Sequence, residues 1–179
     1  ATYWHVRSKE DLLAKMLTDV STRLLNGARD RLATAETPER AIRVLPRLTD
    51  RNRDFWTGGA QGELRFWRCR DCREYIHPPQ PICPACLSKD MATEAVSGRA
   101  TLATWSVNHQ AWMPGPELPF VVGIVEIVEQ PSVRLTTNIV NCAHDGLRAG
   151  LPMRVIFEHH LDAEGDVYIP LFEPDEAGA

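Results

Sequence analysis

The 179-residue sequence predicts a mainly β protein with helices at its N-terminus, and three observations carry that reading. Two C-x-x-C motifs, Cys69-Arg-Asp-Cys72 and Cys83-Pro-Ala-Cys86, lie ten residues apart. Beyond residue 98 come about five short runs of β-branched and apolar residues, with period-two alternation and Pro or Gly at their bounds. Apolar spacing of three and four, the mark of an amphipathic helix, dominates the opening of the chain. The expected order is a helical arm over 1–45, a docking helix over 46–63, a rubredoxin-like zinc ribbon over 64–98 and a five-stranded OB-fold barrel over 99–179.

The arm begins with a capping box, Ser8 with Asp11, ahead of Leu13, Met16, Leu17, Val20, Leu24 and Leu25 on one helical face. Asn26-Gly27 can end this helix, and Thr37-Pro38 starts a later one that stops before Pro46. Thr49 or Asp50 can cap the next short helix, which Gly58-Gly59 would end. Phe55, Trp56, Phe66 and Trp67 put four aromatics within thirteen positions. They serve either as cover for the thin core of the ribbon or as a docking surface for another protein.

Leu64 to Arg68 alternates as a strand leading into the first cysteine pair. Cys69, Cys72, Cys83 and Cys86 can place four thiolates around one Zn²⁺, each about 2.3 Å from the metal. With every coordination position taken by sulfur, such a zinc is structural and one per chain. Two disulfides are the competing arrangement, but C-x-x-C pairs are better suited to metal binding, and no secretory leader pattern is visible. No run approaches the roughly 18 apolar residues that span a bilayer, so the expected compartment is the cytoplasm. The fifth cysteine, Cys142, is expected to be a free thiol in a polar turn.

The barrel strands are expected at 100–109, 120–129, 134–140, 153–159 and 168–172, with Gly98 and Gly123 at bends. Residues 99–179 carry four Lys/Arg against eleven Asp/Glu, a net charge of −7. Nucleic-acid machinery also combines zinc ribbons with OB barrels, but there a basic groove meets the phosphates. An acidic barrel argues against that alternative. His5, His77, His109, His144, His159 and His160 are scattered and form no metal or nucleophile motif, so no catalytic residue is assigned. His159-His160 reads as a strand pair facing opposite sides. The absence of a catalytic group also counts against an independent thioester hydrolase.

Two resemblances add to this. Tyr3-Trp4-His5-Val6-Arg7-Ser8-Lys9-Glu10-Asp11-Leu12-Leu13 resembles the recognition-helix end of TetR-family repressors, without the two helices that precede it there. A TetR-like transcriptional regulator is therefore a minor alternative. From about residue 46 to 175 the chain resembles the DUF35 family of acyl-CoA-associated zinc-ribbon OB-fold proteins. The resemblance is carried by Asp54-Phe55-Trp56, the two cysteine pairs, His77-Pro78-Pro79, Ser97-Gly98-Arg99-Ala100, Pro119-Phe120-Val121-Val122 and Pro170-Leu171-Phe172-Glu173-Pro174. It implies a non-catalytic partner of a thiolase-like or aldolase enzyme in lipid or steroid side-chain metabolism. By the same resemblance, the chain would help accommodate the acyl-CoA substrate within a hetero-oligomer.

Overall fold

The computed structural model describes residues 45–110, 117–161 and 165–175. The helices expected before residue 45, with the TetR-like segment, lie outside these. Ribbon and barrel belong to one compact unit.

Helix α1 covers Arg53–Thr57, later than either expected cap predicts. Its N-cap is Asn52, whose side chain instead accepts a hydrogen bond from the Thr49 backbone N–H at 2.7 Å. Thr49 contributes through its carbonyl, which accepts from the amides of Asn52 and Arg53. Gly58-Gly59 does not end the helical run but continues it as a 3-10 turn, Gly58–Gln61, closed by Gly62 at φ 72°.

The ribbon is a three-stranded antiparallel sheet of β1 (Leu64–Cys69), β2 (Tyr75–Ile76) and β3 (Met91–Val96), in the order β2-β1-β3. Strand β3 was not expected from the sequence. It is read only through its full six-residue register with β1.

The barrel follows as β4 (Arg99–Asn108), β5 (Phe120–Ile127), β6 (Arg134–Ile139), β7 (Pro152–His160) and β8 (Val167–Pro174). It closes in the order β4-β5-β6-β8-β7, all neighbours antiparallel except β6 and β8. This is the five-stranded OB barrel the sequence predicts. Alternation puts Leu102, Val121, Val125, Ile127, Leu135, Ile139, Met153 and Phe172 inside, each at most 5% exposed. Gly98 joins β3 to β4 at φ 75°, a backbone that favours glycine. At Gly123 the need is space, since a Cβ there would stand 2.7 Å from Ile139 Cγ1. The main core is continuous between modules: Phe55, Leu64, Phe66 and Tyr75 join the barrel residues in one cluster.

Candidate functional site

The two cysteine knuckles are built alike. Cys69 N–H donates to Glu74 O and Arg73 N–H to Cys69 O; Cys83 N–H donates to Ser88 O and Leu87 N–H to Cys83 O, all at 2.8–3.0 Å. Each turn ends on a left-handed residue, Arg73 at φ 67° and Leu87 at φ 63°. The turns bring the four Sγ atoms within 4.8 Å of one another, with Cys69–Cys86 and Cys72–Cys83 at 3.5 Å. Sulfurs held tetrahedrally about 2.3 Å from one Zn²⁺ would lie about 3.8 Å apart, so the donor set fits that ion. Without metal the thiols share protons unevenly. The Cys72 N–H, donating to Cys69 sulfur, brings that thiol down to about 7. The Glu74 N–H pulls Cys72 down too, but desolvation and the neighbouring thiols outweigh it and push Cys72 up to about 12. A bound cation replaces those protons and closes the site to water and substrate.

The four aromatics separate. Phe66 and Phe55 are 2% and 9% exposed and belong to the core, and Phe55 also lines a groove beside helix α1. A small ribbon has little other apolar mass to bury, and these rings supply it. Trp67 packs on the metal-site cluster of Cys69, Ile76 and Cys83, where its indole N–H is buried without an acceptor. Trp56 remains half-buried, its ring edge-on to Phe55 at 4.6 Å.

Trp56 borders a groove of about 770 Å³ that sequence reasoning missed. Helix α1 forms one wall, His77-Pro78-Pro79 another, and the facing parts of β6 and β8 the floor. His77 sits 5.0 Å from Phe55 and 5.2 Å from Phe66, and burial holds its pKa below the usual value, so it is neutral at pH 7. Arg51 and Arg134 line the groove, and no Asp or Glu does.

The groove exists because the barrel is thinly stitched there. Phe172 O accepts from Val140 N–H at 2.9 Å and Pro170 O accepts from Thr137 Oγ1 at 2.7 Å, so this edge of β8 faces β6. Pro170 has no N–H to give, and the β6–β8 ladder holds only the pair Ile139–Phe172. A proline within a predicted strand was the one sequence signal that could have located the seam.

The remaining expected residues lie elsewhere. Cys142 is half-buried against the core, with its thiol pushed up by burial, the opposite of an activated nucleophile. His159 is exposed and stacked on Tyr168 at 4.5 Å, while His160 is 9% exposed, so the pair does face opposite sides. No helix among the described residues is long and apolar enough to cross a membrane.

A four-cysteine ribbon fused through a shared core to an OB barrel defines a two-module zinc-ribbon OB-fold protein, and the comparisons give its family. Residues 56–92 match the family model "ChsH2, rubredoxin-like zinc ribbon domain" and residues 93–158 match "ChsH2, C-terminal OB-fold domain". The chain belongs to the DUF35 family. It is 32% identical to the DUF35 chain of a solved Ltp2–ChsH2 aldolase, with TM-score 0.63, covering 73% of this chain and 98% of that one. It is 30% identical over 92 residues to a DUF35 domain-containing scaffold protein of Methanothermobacter thermautotrophicus, covering 50% of this chain and 68% of that protein. A probable enoyl-CoA hydratase alpha subunit of Thermomonospora curvata is 31% identical over 170 residues, 94% of this chain. The chain spans 51% of that subunit's length.

Proposed function

We propose that this chain is a non-catalytic accessory subunit that binds a thiolase-like or aldolase enzyme in the cytoplasm and helps accommodate its acyl-CoA substrate. The observation that carries this reading is the 32% identity over 98% of the DUF35 chain in an aldolase assembly. The closed metal site supports it, because four thiolates leave the zinc no position for substrate. Four metal-binding thiols also suit a reducing compartment. The seam groove supports the substrate half of the reading. Trp56, His77 and the prolines offer apolar walls, and Arg51 offers positive charge beside Arg134, whose guanidinium is paired with Glu126 at 2.7 Å, which suits an anionic ligand with a long apolar or amide-bearing arm.

Capture with the tagged full chain, followed by mass spectrometry, tests the partner. Recovery of a thiolase-like protein whose turnover of an acyl-CoA falls without this chain is the expected result. Recovery of none, with tight oligonucleotide binding instead, would overturn the reading.

A further inference from the structure

The second knuckle, residues 81–87, reads Pro-Ile-Cys-Pro-Ala-Cys-Leu, and apart from Cys83 every residue in it is exposed. Leu87 is 75% exposed and Ile82 39%. The first knuckle has the same backbone turn but carries Arg70, Asp71, Arg73 and Glu74 on its surface. Folding alone therefore does not require an apolar tip. Folding also disfavours leucine at φ 63°, where glycine or asparagine fits without strain. The tip is thus an exposed apolar knob whose shape the metal fixes, so that docking it would order little further chain.

What covers the knob follows from its size. A stable interface takes about 20–30 residues from each side, and a seven-residue knuckle falls far short. Two tips meeting cannot hold a homodimer; the knob suits an anchor within a larger surface supplied by a different protein. We propose that residues 81–87 insert into an apolar recess on the thiolase-like subunit, with Leu87 as anchor and Ile82 beside it. This rests on the accessory-subunit reading above.

Leu87→Gly is the discriminating variant, because it removes the anchor while relieving the left-handed backbone. The captured and identified thiolase-like protein, produced on its own, is titrated with wild-type chain, Leu87→Gly and the control Val128→Asp, which alters an apolar side chain exposed elsewhere. The expected result is a Kd raised about tenfold or more for Leu87→Gly, with zinc content and melting temperature undiminished, and little change for Val128→Asp. Unchanged affinity of Leu87→Gly overturns the knob alone and leaves the accessory reading standing. Self-association of the wild-type chain that Leu87→Gly abolishes in sedimentation overturns the choice of partner. Failure of the wild-type chain to capture any thiolase-like protein overturns both.

Discussion

Gly59 lies where the turn after α1 presses on the barrel. A Cβ there would stand 2.4 Å from Tyr168 Cβ and 2.7 Å from Phe157 Cδ1, closer than packed atoms come. Gly59→Ala is therefore expected to lower the unfolding free energy by about 1–3 kcal/mol. Gly146, whose Cβ would meet nothing within 4 Å, is the control. Urea melts that leave both variants equal to wild type would refute the close approach. Glu173 makes a second residue-scale prediction. Its carboxylate accepts from Asn141 Nδ2, and from Arg154 Nε at 2.8 Å. The Asn141 bond lowers its pKa most; desolvation opposes this, and Arg154 adds to the lowering. A folded-state pKa below the unfolded value means that the stabilisation is complete above the unfolded value, about 4.3, and is lost as pH falls through the folded one. Wild type should exceed Glu173→Gln in urea midpoint at pH 7, and the gap should shrink as the pH falls below the unfolded value of about 4.3. A gap that stays constant would mean the carboxylate charge is not what stabilises this end of the barrel.

At the scale of elements, β2 is only two residues long, and a side chain completes it. Tyr75 N–H donates to Gln130 Oε1 at 2.8 Å and Gln130 Nε2 donates to Tyr75 O at 3.1 Å, the pair of bonds a neighbouring strand would make. Gln130 sits in the β5–β6 turn, so the bond pair ties ribbon to barrel. Gln130→Ala should strip hydrogen-exchange protection from the Tyr75 amide and cost about 1 kcal/mol. Persistent protection would show that β1 alone holds the strand. Such a tie was not legible in the sequence, because its partners are 55 positions apart. What was legible is local: four cysteines at metal spacing, and five strands whose alternation puts one face in a core. Strand β3 escaped because Met-Ala-Thr-Glu-Ala-Val offers no clean alternation, and its residues are mostly half-buried on both faces. The groove escaped because it gathers four segments from residue 49 to residue 171. Phe55 and Phe66 show the converse. Their identity was informative, but whether they face a partner or the core depends on non-local packing.

For the whole molecule, the distribution of apolar mass decides what the metal holds together. The main core runs from Phe55 through Leu64, Phe66 and Tyr75 into the barrel, and no zinc ligand is part of it. The knuckle end has only Cys69, Ile76 and Cys83 buried, with Trp67 and Met91 packed beside them. Such a cluster is too small to order both knuckles once the thiolates lose their common ion. Removing zinc by chelation, or by Cys69→Ser, should therefore release the two knuckles, residues 69–74 and 81–90, while residues 75–79, held by the main core and Gln130, and β4–β8 stay folded. The full chain should bind about one zinc, and hydrogen exchange after chelation should rise steeply in peptides from the knuckles at 69–74 and 81–90 and hardly at all in those from 120–139. Loss of barrel protection in step with the knuckles would instead mean that the ribbon supports the barrel. If barrel protection persists, the barrel carries a ribbon whose far end only the metal shapes, and a chelated chain keeps its groove but loses its tip.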